Sequence, residues 1–510
     1  MKNNDAFKIG FIGLGVMGSN LVLNLADNGF FVVCYDVDSD KVKQIELVDQ
    51  QQRGHQPKRV HGCSSITDLL TYLADLKTIM ISVPAGDAVD EVCKQLIAHG
   101  IETKDIVIDT GNSLWTDTIA REQLYQNDFV FFSTAVSGGE VGARFGPSLM
   151  PSGNLQAWQK IAPIFKAIAA KVDANTGRPI ERFEPGNPVI EGEPCADYIG
   201  PAGSGHYVKM VHNGIEYADM QLICEGYHIL REGLGFSVLE IADIFECWNT
   251  DVLDSYLMGI SIEVLRQQDP ATKQPLIDII LDCAGQKGTG LWTAVSALQM
   301  GSPAQTITQA VFARSISSLK SERVRASKIL KGPEQLVLSD ADKQRAVDEL
   351  KDALYCSKIC AYAQGFQLMS IASKEQGWSL DFSAIAKIWR AGCIIRAVFL
   401  QDINSAYLKN DSLENLLLDP FFAGKINELQ MSWRHSIANA VALGIPHPAM
   451  SSALAYYDAY RCELLPANLL QAQRDFFGAH TFSRVDKPEH EKYHLDWSAK
   501  PRVLKKLTTN

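Results

Sequence analysis

The chain has 510 residues, 46% of them hydrophobic and 21% charged, a balance that supports two or three domain cores and excludes both a disulfide-stapled module and a disordered chain. Its 48 Lys plus Arg against 59 Asp plus Glu give a net charge of -11, so no global positive field gathers nucleic acid or an anionic membrane, and an anionic ligand must meet a local basic cluster. Eleven scattered cysteines without a C-x-x-C pair read as reduced thiols, Met1 to Phe7 lacks a signal-peptide pattern, and no apolar run approaches the roughly twenty residues of a membrane span, so a cytoplasmic protein is expected.

From Lys8 to about Val136 the short β-branched runs KIGFIG, FFVVCY, KTIMISV, DIVID and FVFFSTAV alternate with helical patterns. Each reads as a buried parallel strand of a βαβ sheet covered on both faces. Gly13-Leu14-Gly15-Val16-Met17-Gly18 follows the first run and opens the apolar-periodic SNLVLNLADNGF. In that setting the first glycine permits a tight turn, the second lets backbone approach a pyrophosphate, the third lets helix pack on strand, and the helix N-terminus favours phosphate charge. The second run ends at Asp36, eighteen residues after Gly18, where a carboxylate is expected to bond the adenosine ribose hydroxyls and repel a 2′-phosphate. NAD is therefore expected in preference to NADP. Asn112 follows DIVID and Ser137-Gly138-Gly139 follows FVFFSTAV, so both turns lie beyond the carboxyl ends of strands, where open α/β sheets bind ligands.

Between about Asp173 and Glu193 prolines and glycines interrupt every period, which reads as a loop or linker. Beyond Gly205 helical spacing dominates, over 206–232, 291–330, 342–376 and 382–408. Lys209, His212, Asn213, Glu216 and Tyr217 recur at i, i+3, i+4, i+7 and i+8, so one helix face carries a base, an acid and three hydrogen-bonding groups, with Val211, Ile215 and Ala218 on the other. Periodicity alone leaves an ordinary polar face as the alternative. Gly285-Gln286-Lys287-Gly288-Thr289-Gly290 has the composition of a phosphate loop but not Walker spacing, so an ATPase reading fails. From about Gln471 the chain reads as an irregular tail that needs another surface to order it. His490 to His494 fits H-E-x-x-H, but Pro488 precedes it closely and no third ligand is evident, so no metal is expected.

In the stretches SGGEVGARFGPSLMPSG, GSGHYVKMVHNGIEYADMQLICEGY, AGQKGTGLWT, AVFARSISSLK and RDFFGAHT the chain strongly resembles the 6-phosphogluconate dehydrogenase family. The resemblance implies an α/β chain: a Rossmann-type coenzyme domain over 1–200 with a loop insertion around 174–193, an all-helical substrate and dimerisation domain over 201–470, and a tail over 471–510 reaching a partner subunit. It further implies oxidative decarboxylation of 6-phosphogluconate, with Lys209 as general base and Glu216 as acid. Asn112, Ser137, Gly138, Gly139, His212 and Asn213 would hold the carboxylate and hydroxyls, and Tyr217, Lys287, Thr289 and Arg314 the phosphate. Arg474 and His480 match residues that family members lend from the neighbouring subunit, which implies a homodimer. Gly13, Gly15, Val16, Met17, Gly18, Asp36, Val83, Ala85 and Asn112 would hold the dinucleotide. Asp36-Val37-Asp38 stands where NADP-using members carry Asn-Arg-Thr, and Pro84 where a Lys is common. Rival readings are another β-hydroxyacid dehydrogenase and a non-catalytic NAD-binding sensor; retention of both Lys209 and Glu216 speaks against the sensor.

Overall fold

The computed structural model describes residues 8–73, 76–286, 288–334 and 338–507, in two units, 1–454 and 455–510. The first unit opens with β1 (Lys8–Ile12), α1 (Val16–Asp27), β2 (Phe31–Tyr35), α2 (Ser39–Arg53), β3 (Val60–Gly62), β4 (Thr78–Ile81), β5 (Ile106–Asp109), α3 (Trp115–Tyr125), β6 (Val130–Ser137), α4 (Gly139–Phe145) and β7 (Ser148–Gly153). The strands form one sheet in the order β3-β2-β1-β4-β5-β6-β7, parallel throughout except for the antiparallel β6–β7 pair. Alternate residues serve opposite cores: Ile9, Phe11, Val32 and Ile108 pack on one face and Ile12, Val33, Ile81 and Val107 on the other. Burial of both faces is why these runs are almost continuously apolar.

The five parallel runs read from the sequence are all strands. Two strands escaped that reading: β3 has three residues, and β7 carries a proline and a glycine in SLMPSG. Those residues weaken a strand signal and are tolerated because β7 is an edge strand. Chain order reverses between β1 and β4, which places the crevice of an open sheet beyond their carboxyl ends.

The segment read as a loop around 174–193 is partly ordered by pairing. β8 (Lys171–Val172) lies between β9 (Pro179–Ile180) and β10 (Glu193–Pro194) in a small antiparallel sheet. Phe183 stands edge-on to Phe145 at 5.8 Å, and Glu193 accepts from Lys387 at 3.0 Å and Arg390 at 2.7 Å.

The remainder of the first unit is helical, built around α5 (Ser204–His228), α6 (Thr289–Gln299), α7 (Gln305–Ser317), the 36-residue α8 (Asp340–Glu375) and α9 (Pro420–Ala442). Helix α5 meets α6, α7 and α8, and α8 meets α9. Glycines allow the closest approaches: a Cβ on Gly214 would lie 2.5 Å from Thr293, and one on Gly365 would lie 2.5 Å from Ile215. The sequence pattern suggested an amphipathic α5. Almost every residue of its first three turns is buried, including Lys209 and His212, because neighbours cover its polar face as well.

The second unit is more regular than the irregular tail expected from Gln471: it contains α10 (Ala467–Gly478) and an antiparallel hairpin of β11 (Lys492–Asp496) and β12 (Val503–Leu507). His490 and Glu491 precede β11 or lie in a turn, and His494 is within the strand, so the two histidines of H-E-x-x-H do not share a helix face. Among the described residues no helix is long and apolar enough to cross a membrane.

Candidate active site

The glycine turn is built as the strand-turn-helix spacing requires. Gly13 has φ 98°, and a Cβ there would strike the Ser82 carbonyl; one on Gly18 would strike the Gly13 carbonyl. Gly15, the N-cap of α1, faces open space and no side chain caps the helix, so its first N–H groups are left for a ligand. Val16 is exposed and Met17 half-buried beside them. Asp36 is buried at the end of β2, where its Oδ2 accepts the Leu14 N–H at 2.6 Å and its Oδ1 the Asp38 N–H at 2.9 Å. Lys41 approaches Asp36 Oδ1 to 3.8 Å. Val83 flanks the same turn, 3.1 Å from where a Gly13 Cβ would stand, and Ala85 is exposed two residues on.

Beyond β5, Asp109 fixes the turn that carries Asn112: its carboxylate accepts from the Gly111 N–H at 2.8 Å and the Ser113 hydroxyl at 2.6 Å. His206 on α5 fastens this turn. Its Nε2 lies 3.1 Å from the Gly111 carbonyl, which can only accept, so Nε2 carries the proton and Nδ1 accepts from the Thr118 hydroxyl at 2.7 Å. Burial pushes the His206 pKa down, against the pull of Asp109 and the Gly111 bond, which favours this neutral form.

One turn further along α5, Lys209 Nζ donates to Ser137 Oγ at 2.8 Å and stands 3.3 Å from His212 Nδ1. Glu216 Oε2 reaches the same Nδ1 at 3.9 Å, so amine and carboxyl are separated by no more than these two reaches together. Asn213 Oδ1 is 3.2 Å from Nδ1, and Ser137 Oγ is 3.4 Å from His212 Nε2. Burial drives the Lys209 pKa below that of an ordinary lysine, opposed by Glu216 and Cys393. Burial drives Glu216 above the usual carboxyl value, opposed by Lys209 and Arg314, and pushes His212 well down with help from Lys209. A lysine pKa pushed down and a carboxyl pKa pushed up are shifts in the directions a base and an acid need. Gly138 follows Ser137 at φ 118°, and a Cβ on it would lie 2.5 Å from the Gly392 carbonyl; Gly139, at φ 62°, begins α4.

Two turns further along α5, Arg314 lies over the Tyr217 ring at 3.4 Å and donates to the Gly285 carbonyl at 3.2 Å. Thr289 starts α6, whose N-cap Gly288 provides no side-chain cap. Lys287 lies outside the described residues. Asn112, Lys209, Asn213 and Thr289 line one small cleft, with Trp115 and Trp292 also on its wall. Residues from three distant segments thus meet there. Arg474 and His480 belong to the second unit, on and just after α10.

Residues 205–497 match the family described as 6-phosphogluconate dehydrogenase, C-terminal domain, and residues 8–177 match the NAD binding domain of 6-phosphogluconate dehydrogenase. The chain belongs to the 6-phosphogluconate dehydrogenase family. It is similar to the decarboxylating 6-phosphogluconate dehydrogenase of Schizosaccharomyces pombe, at 49% identity over 98% of this chain and 97% of the relative, and to the human one at 46% over 96% of each. The solved 6-phosphogluconate dehydrogenase of Plasmodium falciparum superposes with a TM-score of 0.89 at 38% identity, covering 96% of this chain and all of that one. Membership makes the chain an NAD(P)-dependent oxidoreductase.

Sequence reasoning missed His206, which bridges α5 to the Asn112 turn, and Trp389, whose ring stands edge-on to His212 at 5.3 Å. His206 shares the Lys209 face at i−3, so helical spacing could have found it; Trp389 left no such signal, because its approach depends on folding alone.

Proposed function

We propose that the chain oxidises and decarboxylates 6-phospho-D-gluconate to D-ribulose 5-phosphate and CO2 while reducing NAD(P), with Lys209 as general base and Glu216 as general acid. The observation that carries this reading is the buried Lys209 amine, held by Ser137 and His212, with Glu216 within reach of the same imidazole nitrogen. The dinucleotide fits the glycine turn, where side chains are excluded at Gly13 and Gly18 and the α1 N-terminus is uncapped. When bound it supplies the hydride acceptor.

Neutral Lys209 would take the proton of the C3 hydroxyl as the C3 hydrogen leaves with its electron pair for the hydride acceptor, giving a 3-keto acid whose carbonyl stands next to the carboxylate-bearing carbon. The resulting ammonium then hydrogen-bonds that carbonyl as CO2 leaves and the carbonyl accepts the electron pair. Glu216, whose carboxyl burial pushes above its ordinary value, delivers a proton to C1 of the enediol. Ser137, Gly138, Gly139, Asn112, His212 and Asn213 hold the acid end. Tyr217, Thr289, Arg314 and Lys287 receive the phosphate, aided by the uncapped N-terminus of α6.

NAD is the favoured coenzyme. The Asp36 carboxylate is fixed against the glycine turn by two N–H donors, and the next residue, Val37, offers no guanidinium to a 2′-phosphate. The chain acts in the cytoplasm as a homodimer whose Arg474 and His480 complete the neighbouring substrate site. Its coenzyme domain covers 1–200, with the insertion around 174–193, its helical domain 201–470 and its tail 471–510; the change from one matched family region to the other between 177 and 205 supports the first boundary. An assay of 6-phosphogluconate with each coenzyme, following reduced nicotinamide and released CO2 together, tests the whole reading. Equimolar products with NAD favoured are expected; hydride transfer without CO2 would reassign the chain to a simple β-hydroxyacid dehydrogenase.

A further inference from the structure

The second unit builds an unusual turn around His480. Among the described residues only Lys273, Ala479 and Thr481 are non-glycine residues with positive φ, and two of them flank this histidine, at 50° and 63°. A β-branched threonine in the left-handed region is an outlier that a chain adopts only when its surroundings enforce it. A glycine at the Ala479 position, just past α10, would relieve the turn. The nearby glycine stands one residue earlier instead, at Gly478, where a Cβ would lie 2.6 Å from His480 Nε2. The missing side chain makes room for the imidazole rather than for the turn.

Beneath the exposed His480 lies a fully buried carboxylate, Asp475. Its Oδ1 accepts the Thr481 N–H at 3.1 Å and His494 Nδ1–H at 2.8 Å; its Oδ2 accepts the Leu495 N–H at 3.1 Å and the Trp497 indole N–H at 2.9 Å. Gln471 Nε2 adds a bond to the Thr481 carbonyl at 2.5 Å, and the Ala479 N–H donates to the Asp475 carbonyl at 3.0 Å. Burial alone would raise the Asp475 pKa, but the His494, Leu495 and Trp497 bonds outweigh it and hold the carboxyl below its ordinary value. One charged group therefore joins α10, the strained turn and β11.

We propose that Asp475 is a positioning residue for the reaction: its carboxylate locks the left-handed turn and so presents the His480 imidazole to the substrate in the neighbouring subunit. This rests on the reading that His480 is lent across the dimer. Asp475 touches no substrate itself and acts through His480.

The experiment is a double-mutant cycle on the full-length protein with Asp475→Asn, His480→Ala and the pair, measuring kcat and the KM for 6-phosphogluconate, with melting temperature and oligomeric state followed alongside. Asparagine keeps the shape but turns an N–H₂ toward one pair of donors. His480→Ala should raise the KM about tenfold or more, as expected for a lost hydrogen bond to a charged substrate. Asp475→Asn should raise it comparably with kcat and the coenzyme KM little changed, and should add nothing in the His480→Ala background. Where Asp475→Asn fails to fold, Trp497→Phe, which keeps a ring but removes the indole N–H from the Asp475 carboxylate, takes its place with a smaller KM rise that also vanishes in the His480→Ala background. Fold-changes that multiply would show that Asp475 only stabilises the unit and would overturn the inference. An unchanged KM for His480→Ala would overturn the donated-histidine reading itself, and this inference with it.

Discussion

Replacing Lys209 by Met removes the amine from between Ser137 Oγ and His212 Nδ1 and fills the space with an unbranched apolar chain. General-base catalysis is worth about 10²–10⁴ in rate. Loss of the amine also removes the ammonium that assists decarboxylation, so kcat should fall by at least about a thousandfold, or about 4 kcal/mol of barrier. Coenzyme binding should change little, because Lys209 faces the Ser137 turn rather than the glycine turn. The protein should be no less stable: with a folded pKa below the unfolded one, Lys209 carries a burial penalty wherever it is charged, and Met removes that penalty. Arg is the sharper control, since it retains positive charge but cannot deprotonate in a protein. Steady-state assays of both variants, with NAD or NADP binding followed by fluorescence, make the comparison. Turnover of Lys209→Arg within tenfold of the parent would refute the base assignment and leave only an electrostatic role.

Gly290→Ala drives a Cβ into the Tyr217 ring on which Arg314 stacks, so the KM for 6-phosphogluconate should rise about tenfold and stability fall by about 1–3 kcal/mol; an unchanged KM would remove these residues from the phosphate site. The buried Glu225 carboxyl, pushed up to about 7 by desolvation although Ala449, Met450 and Gln221 donate to it, keeps a proton that the unfolded chain releases above its ordinary value of 4.5. Stability should therefore fall as pH rises through that window, by about 3 kcal/mol at 1.36 kcal/mol per unit, and urea unfolding near about pH 5 and about pH 8 should show a drop that Glu225→Gln abolishes. Finally, kcat/KM with NAD should exceed that with NADP, and Asp36→Asn should lower the NAD value about tenfold while sparing NADP; a parent enzyme that prefers NADP would sink the coenzyme claim.

Local regularities were legible before any coordinates. Buried parallel strands announce themselves as unbroken apolar runs, and the glycine turn by its place between strand and helix. The face shared by Lys209, His212, Asn213 and Glu216 follows from 3.6 residues per turn. The short β3 and the proline-bearing β7 were not legible, since sheet pairing rather than propensity holds them in place.

What the sequence determined by itself is therefore which groups share a helix face and which turns follow a strand, because spacing along one element is fixed by its own geometry. Only the tertiary structure decided that the polar face of α5 is buried, that His206 fastens the Asn112 turn beside Lys209, and that Tyr217 takes Arg314 across its ring. Those facts depend on long-range packing, and packing is what pushes the Lys209 pKa below that of an ordinary lysine.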